Sequence, residues 1–367
     1  MKAKLRIFVD CHVFDGSFQG TTTYIQGLYK ELIKDKSIAF FFAGNDIGRL
    51  QDIFGTAENI SYLKYRSKNK FYRLAFDIPK LIQKNKIDYA HFQYIVPPIK
   101  YCKYIVTIHD VLFLDYPEYF PLSYRLKNKA LFQWSANYSD IVLTVSDYSK
   151  QKIQEHFGIK DVVITPNAVD SVFFEEYDKA KVVQEVQQKY NLENYWIYIS
   201  RWEPRKNHHT LLKVFIENEY YKKYSLVLIG DQSITNTQFK MLYDGLDESV
   251  KKTVFILKKV DFNELILLLR GATLAVYPSI AEGFGIPPLE TSVAGISTIC
   301  SNTTAMSDFV FLKNRLFNPF SENDFNEKIK FGLQNQQDDS IADSIRNTYR
   351  WELSAAIFKE KIVLTEE

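Results

Sequence analysis

Two glutamates eight positions apart, Glu282 and Glu290, bracket the stretch "EGFGIPPLE", just after the apolar run Leu274-Ala275-Val276. Carboxylates at the end of a strand accept hydrogen bonds from paired hydroxyls, such as those of a ribose or a hexose. Pro287-Pro288 fits the first turn of a helix, where proline is tolerated. Gly283 and Gly285 then fall in the connecting loop and let backbone N–H groups approach a ligand. On this reading Glu282 ends a strand and Glu290 lies in the first helical turn. The plainer alternative has Glu290 complementing the helix dipole and Glu282 solvated. A second cluster, "SRWEPRKN" at 200–207, holds Arg201, Arg205 and Lys206 between the run "YWIYIS" and a helix whose start is marked by Asn207. Cations beside a helix N-terminus suit phosphate or diphosphate; a solvated basic loop is the alternative. His109, next to last in "YIVTIHD", is read as ending that strand. A lone histidine after a strand is more often structural than functional.

The elements that must position these groups follow from short apolar runs separated by helical segments. The first half carries "LRIFVD", "IAFFFAG", "ISYLKY", "IDYAHF", "YIVTIHD", "IVLTVS" and "VVITPN"; the second carries "YWIYIS", "SLVLIG", "TVFIL", "ATLAVYPS" and "ISTIC". Runs of this length, rich in Val, Ile and aromatics, read as strands buried on both faces. Their alternation with segments like "TTTYIQGLYKELIK" implies parallel α/β units. At 367 residues the chain suits two domains. The join is expected between Asn167 and Asn191, giving a first Rossmann-like domain over 1–170 and a second over 171–350. A final helix over 351–367 is expected to return to the first domain. In open α/β sheets the loops at the carboxyl ends of the strands line the ligand crevice, so two facing crevices would make a cleft.

Composition narrows the functional classes. A net charge of +2 gives no general pull toward nucleic acid. Cys11, Cys102 and Cys300 are far apart, which argues against a zinc site or a disulfide framework and suits a reducing cytosol. The N-terminal "MKAKLRIFVDCHVF" reads as a first strand and not a signal peptide. No window approaches the roughly 20 apolar residues of a spanning helix. The expected location is cytoplasmic, with peripheral association on the inner membrane face as an added reading. Asp110 and Asp231 stand alone and read as loop caps; no metal-ligand spacing is present.

Several stretches in order resemble retaining glycosyltransferases of family 4, which have the GT-B fold: "TIHDVLFLDYPEYF", "DIVLTVSDYSKQKI", "VVITPNAVD", "SRWEPRKN", "EGFGIPPLE", "ISTICSNTTAMSDFV" and the terminal "YRWELSAAIF". The look is nearest to bacterial mannosyltransferase-like enzymes of polysaccharide biosynthesis. The resemblance implies that Glu290 holds the ribose hydroxyls of a nucleotide-sugar. Glu282 and the backbone of Phe284 and Gly285 would hold the transferred sugar, while Arg201 and Lys206 grip the leaving diphosphate and Arg205 stands beside that grip. His109 would lie across the cleft near the point of transfer. Gly20, in the loop after the first strand, would let Thr21 and Thr22 approach the phosphates. The chain departs from the family pattern at Ser200, in the first loop "DGSFQGTTTY", which lacks an adjacent glycine pair, and at Lys258-Lys259.

Between Lys64 and Lys86 eight basic residues (Lys64, Arg66, Lys68, Lys70, Arg73, Lys80, Lys84 and Lys86) stand against one acid, Asp77. Helical spacing puts Phe71, Leu74, Ala75, Ile78 and Ile82 on one face and Lys70, Arg73, Asp77, Lys80 and Lys84 on another. The stripe is either a solvated helix face or a surface for anionic lipid or a diphosphate-linked lipid acceptor; no nucleic-acid motif accompanies it. The expectation is therefore a GT-B retaining hexosyltransferase with GDP-mannose as donor, a growing glycan or lipid-linked glycan as acceptor, and no metal or other cofactor. A non-catalytic nucleotide-sugar binder and a nucleotide-sugar epimerase on a related fold are the alternatives.

Overall fold

The computed structural model describes residues 4–16, 20–231, 234 and 236–366. Positions 1–3 of the N-terminal stretch and 17–19 of the expected first phosphate loop lie outside the described residues. The chain divides into two units, Met1–Ala168 with Tyr349–Glu367, and Val169–Thr348.

The first unit is built on seven strands: β1 (Leu5–Asp10), β2 (Ile38–Gly44), β3 (Ile60–Lys64), β4 (Tyr89–Gln93), β5 (Lys103–Thr107), β6 (Ile141–Thr144) and β7 (Val162–Ile164). They lie in the order β3-β2-β1-β4-β5-β6-β7, with every pairing parallel. Every residue of β4 is buried, as a strand covered by helices on both faces requires. The helix Trp351–Glu366 belongs to this unit. Ala355, Phe358 and Ile362 are buried along it, and Phe358 meets Tyr29 edge-on. The Ser354 hydroxyl donates to the Pro166 carbonyl at 2.7 Å.

The second unit carries β8 (Tyr195–Ile199), β9 (Ser225–Ile229), β10 (Val254–Leu257), β11 (Leu274–Tyr277), β12 (Thr298–Ser301) and β13 (Leu316–Phe317). Their order is β10-β9-β8-β11-β12-β13, again parallel throughout. In each sheet the direction of winding reverses once, between β1 and β4 and between β8 and β11. The loops beyond the carboxyl ends of those strand pairs are where a doubly wound sheet binds ligands.

The basic stripe does not form the helix that its spacing suggests. Lys70–Tyr72 begins an α-turn, Arg73–Asp77 is a π-helical turn, and Ile78–Lys84 returns to α-helix. The wider turn shifts the phase of the side chains. Leu74, Ile78 and Ile82 face inward as expected, but Phe71 is 74% exposed, while Arg73 and Asp77 are buried. Asp77 accepts from the backbone N–H groups of Arg66 (2.8 Å) and Ser67 (3.2 Å). Arg73 and Asp77 therefore do not belong to a solvated basic face. Among the described residues no helix is long and apolar enough to cross a membrane.

Candidate functional site

The loops after β8 and β11 carry the charged groups of the second unit. After β8 the chain makes a short 3-10 turn, Pro204–Lys206, before the helix His208–Glu217. Asn207 does precede that helix, but in a left-handed conformation, and its side-chain oxygen accepts from the Thr210 hydroxyl at 2.6 Å instead of capping the backbone. The turn is fastened to the neighbouring loop: Ile280 N–H donates to the Arg205 carbonyl at 2.8 Å, and Tyr198 Oη donates to the Lys206 carbonyl at 2.7 Å. Across this junction Lys206 Nζ lies 2.5 Å from Glu282 Oε1, and Arg205 Nη1 lies 3.4 Å from Glu282 Oε2. Arg205 also donates to the Ala281 carbonyl at 2.6 Å and pairs with Glu203 at 2.7 Å. Arg205 thus links the Glu203 and Glu282 carboxylates within the cluster. Arg201 is half exposed, with Nε 3.8 Å from Glu203.

Burial works to raise the Glu282 pKa, but Lys206 and Arg205 overcome it and hold the carboxyl below its ordinary value. Glu290 is tuned the other way. Burial, with Asp170 nearby, pushes its pKa up to about 8, so the ligand-free carboxyl carries a proton at neutral pH. Two corrections of position apply. Glu282 lies five residues beyond the end of β11 at Tyr277, not at the strand end. The helix Ile286–Val293 takes Gly285 as its N-cap, which moves Glu290 into the second turn. The prolines occupy the first turn as expected.

Glycine is required at two places here. Gly285 has φ +103°, and a Cβ there would meet Met306 Cγ at 2.9 Å. Phe284 packs its ring edge-on against Phe309, so the backbone of 284–285 is what the loop presents. Gly230, after β9, has φ +155°, and a Cβ would lie 2.0 Å from the Ser200 carbonyl oxygen. It presses on the residue preceding Arg201. Sequence reasoning missed it, although its place at the end of "SLVLIG" was a signal.

In the first unit His109 lies two residues past β5, not at its end, and is buried. Its Nε2 is 2.6 Å from Gln93 Oε1. An amide oxygen only accepts, so Nε2 carries the hydrogen. Gln93 Nε2 lies 3.3 Å from His91 Nε2, and His91 also bonds Tyr29 (2.8 Å) and Thr107 (2.7 Å). Burial lowers the pKa of both histidines to about 3, and the charge of His109 adds to the effect on His91. Gly20 is not in a loop. It starts the helix Gly20–Leu32, a Cβ there would meet open space, and Thr21 and Thr22 are helical. Thr22 is buried, with its hydroxyl toward the Val13 carbonyl at 3.4 Å. Glycine is therefore not needed at 20, and Thr22 faces its own fold.

Neutral buried histidines make the first unit acid-sensitive. Their folded pKa lies below the unfolded value of about 6.5, so between about pH 6.5 and 3 the unfolded state binds more protons and stability falls as pH falls. Each histidine withdraws up to about 1.4 kcal/mol per pH unit in that window. Hydrogen exchange of the β4 and β5 amides should accelerate steeply from pH 6 to 5 after correction for intrinsic rates. His109→Gln should flatten the dependence, and an unchanged slope would show that His109 is not held neutral.

Two doubly wound, all-parallel units, the second with an ion-paired cation cluster at its switch point, define a glycosyltransferase of the GT-B type. The match to family models is direct. Residues 18–173 match Glycosyltransferase Family 4, and 181–351 match Glycosyl transferases group 1. O-antigen chain mannosyltransferase B of Escherichia coli is 30% identical over 264 residues, 69% of this chain and 67% of that protein. O-antigen chain mannosyltransferase RfbU of Salmonella typhimurium is 29% identical over 229 residues, 61% of this chain and 59% of its own length. The Anabaena protein HepE, solved with UDP-glucose, superposes with a TM-score of 0.74 over 98% of this chain and 99% of its own at 14% identity, a likeness of fold alone. The chain belongs to glycosyltransferase family 4.

Proposed function

We propose that the chain transfers mannose, with retention of the anomeric configuration, from GDP-mannose to a growing or lipid-linked glycan. The observation that carries this reading is the junction of the β8 and β11 loops, where Lys206 and Arg205 converge on Glu282. The relatives' names support mannose as the sugar. Arg201 and Lys206 take the leaving diphosphate, Glu282 and the 284–285 backbone take the sugar hydroxyls, and Glu290 takes the ribose diol. The C1–phosphate bond breaks, the acceptor oxygen bonds C1 on the same face, and the departing phosphate oxygen receives the acceptor's proton. Preorganised positive charge on that leaving group is worth about 3 kcal/mol per donor. Two features support a front-face step over a glycosidase-like double displacement. Glu282 is tied to two cations, and Glu290 is given to the ribose diol and not to the anomeric carbon, so neither is a ready nucleophile. His109, neutral and donating to Gln93, serves as a polar positioning group. No resident metal or other cofactor takes part, and turnover should withstand EDTA. The test is incubation with GDP-, UDP-, ADP- and dTDP-sugars plus a glycan acceptor, with NMR of the product's anomeric proton. Transfer from GDP-mannose giving the α-anomer is expected. A β-linked product would overturn retention, and preference for another donor would overturn mannose.

Membrane attachment of the first unit is part of the same proposal. Phe71, Tyr72 and Phe76 are exposed, and Lys68, Lys80 and Lys84 are exposed beside them in sequence. Aromatics with lysines form an interfacial anchor, each basic residue adding about 1 kcal/mol at an anionic surface. Replacing the three lysines by Gln and the two phenylalanines by Ser should release the protein from phosphatidylglycerol vesicles in low-salt co-sedimentation. A wild-type protein that stays in the supernatant ends this reading.

A further inference from the structure

The first unit has a cavity of its own at the reversal between β1 and β4. It measures about 240 Å³ and is bordered by His12, Lys70, Arg73, Gln93, Tyr124 and Asn128, among others. Its floor is an ionic knot assembled from distant parts of the chain. Asp10, the last residue of β1, is buried; it accepts from Tyr65 Oη at 2.7 Å, lies 3.0 Å from His12 Nδ1 and 3.7 Å from Arg73 Nη2. His12, Arg73 and Tyr65 keep this carboxylate ionised against the cost of burial. Among the described residues the knot meets the guanidinium through Nη2. Arg73 is buried, and its Nε has no hydrogen-bond partner among the described residues. A buried, unsatisfied, charged N–H is costly unless something supplies an acceptor.

The surrounding charge says what that acceptor is. Lys70 stands at the rim in an environment made cationic by Arg73 and by Lys127 on the Leu122–Tyr138 helix. Three cations thus share the region with one carboxylate, Asp10, which already accepts from two partners. Asp77, the remaining acid of this segment, is engaged by the backbone of Arg66 and Ser67. Crowded cations around an open cavity repel one another, and an anion with several acceptor oxygens relieves that. Asn128 and Gln93 add amide groups to the lining, and Gln93 leads directly to His109.

We propose that this cavity binds a phosphate or diphosphate group, held by Arg73 Nε and Lys70, as the anionic part of the acceptor. The inference rests on the transferase reading above but reaches further, because it places recognition of the acceptor's phosphate in this cavity and not on an open surface. On the transferase reading the donor site also takes diphosphate, so the test uses the full chain carrying Arg201→Ala and Lys206→Ala. Inorganic pyrophosphate is titrated into it calorimetrically, and crystals are soaked in the same anion. Density at Arg73 Nε is expected. Lys70→Gln with Lys127→Gln, both surface changes, should weaken pyrophosphate binding at least ten-fold, and so should Asn128→Asp, which puts a carboxylate in the lining. Loss of pyrophosphate binding in the Arg201→Ala, Lys206→Ala background itself, or undiminished binding in both cavity variants, overturns the proposal. Failure of the donor reading would show separately, as unaltered GDP-mannose binding in that background. Phosphatidylglycerol vesicles distinguish the source of the phosphate. At an ionic strength matched with NaCl, pyrophosphate that displaces the protein from vesicles beyond the effect of chloride identifies a lipid headgroup as the occupant and overturns the acceptor assignment, whereas equal sedimentation in the two salts keeps it.

Discussion

Arg201→Ala and Lys206→Ala are each expected to lower turnover about a hundred-fold or more, with circular dichroism unchanged. The two should differ in their side effects. Arg201 is half exposed, and its nearest charged partner, Glu203, is 3.8 Å away, so its removal should leave the ligand-free protein as it was and act only through the diphosphate. Lys206 is the closer partner of Glu282. Its removal leaves Glu282 with Arg205 as its remaining cation among the described residues and should raise the KM for the nucleotide-sugar as well as lower kcat. Arg205→Ala belongs to a third kind. Because that side chain holds the Ala281 carbonyl and Glu203, its loss should loosen the Glu282 loop and weaken sugar binding more than it slows the chemical step. Steady-state kinetics on the three variants separate these outcomes. Near-normal turnover in both Arg201→Ala and Lys206→Ala would remove them from the diphosphate grip.

What the sequence revealed, and what it concealed, follows from the range of the interactions involved. Twelve of the strands coincide with apolar runs, because a strand covered on both faces must be apolar throughout. The thirteenth, Leu316–Phe317, is two residues long and no pattern of that length stands out from its surroundings. The 70–84 segment misled for a geometric reason: a wheel drawn at the α-helical period cannot foresee the π-turn at Arg73–Asp77, and it is before and within that turn that Phe71 is left exposed and Arg73 and Asp77 are buried. Glu290 moved by a turn because the helix begins only after Gly285. The conflict between Gly230 and Ser200 joins residues thirty positions apart, and the knot of Asp10, Tyr65 and Arg73 spans still more. Such contacts are created by the winding of the sheet, and local spacing carries no trace of them. The cation cluster of 201–206 was legible because one loop supplies all of it. That Arg205 ties this loop to its neighbour was not, since its partner Ala281 comes from the loop after β11.

The opposite tuning of the two glutamates leads to an expectation that neither residue type suggests alone. Free Glu290 has a pKa of about 8 and is protonated at pH 7. A ribose diol offers two hydroxyl donors, and only the ionised carboxylate can accept both while keeping no hydrogen of its own. Nucleotide binding should therefore expel a proton below pH 8, and affinity should rise with pH between about 6 and 8, by up to ten-fold per unit. Calorimetric titration of GDP in buffers of different ionisation enthalpy measures the proton directly. Glu290→Gln, close in shape but unable to ionise, should release none and bind GDP about 1.5–3 kcal/mol more weakly. Glu282→Ala provides the contrast. Its carboxylate is already ionised by Lys206 and Arg205, so the variant should retain both the affinity for GDP and the proton release, and lose affinity only for GDP-mannose. The same linkage acts on the fold with its own sign. Glu290 binds a proton more tightly in the folded state than its unfolded value of about 4.3 allows, so it stabilises the second unit fully at acid pH and that contribution fades as pH rises toward 8. A bound nucleotide should remove this dependence by fixing the carboxylate in its ionised form. Equal proton release by wild type and Glu290→Gln would show that the ribose is held elsewhere.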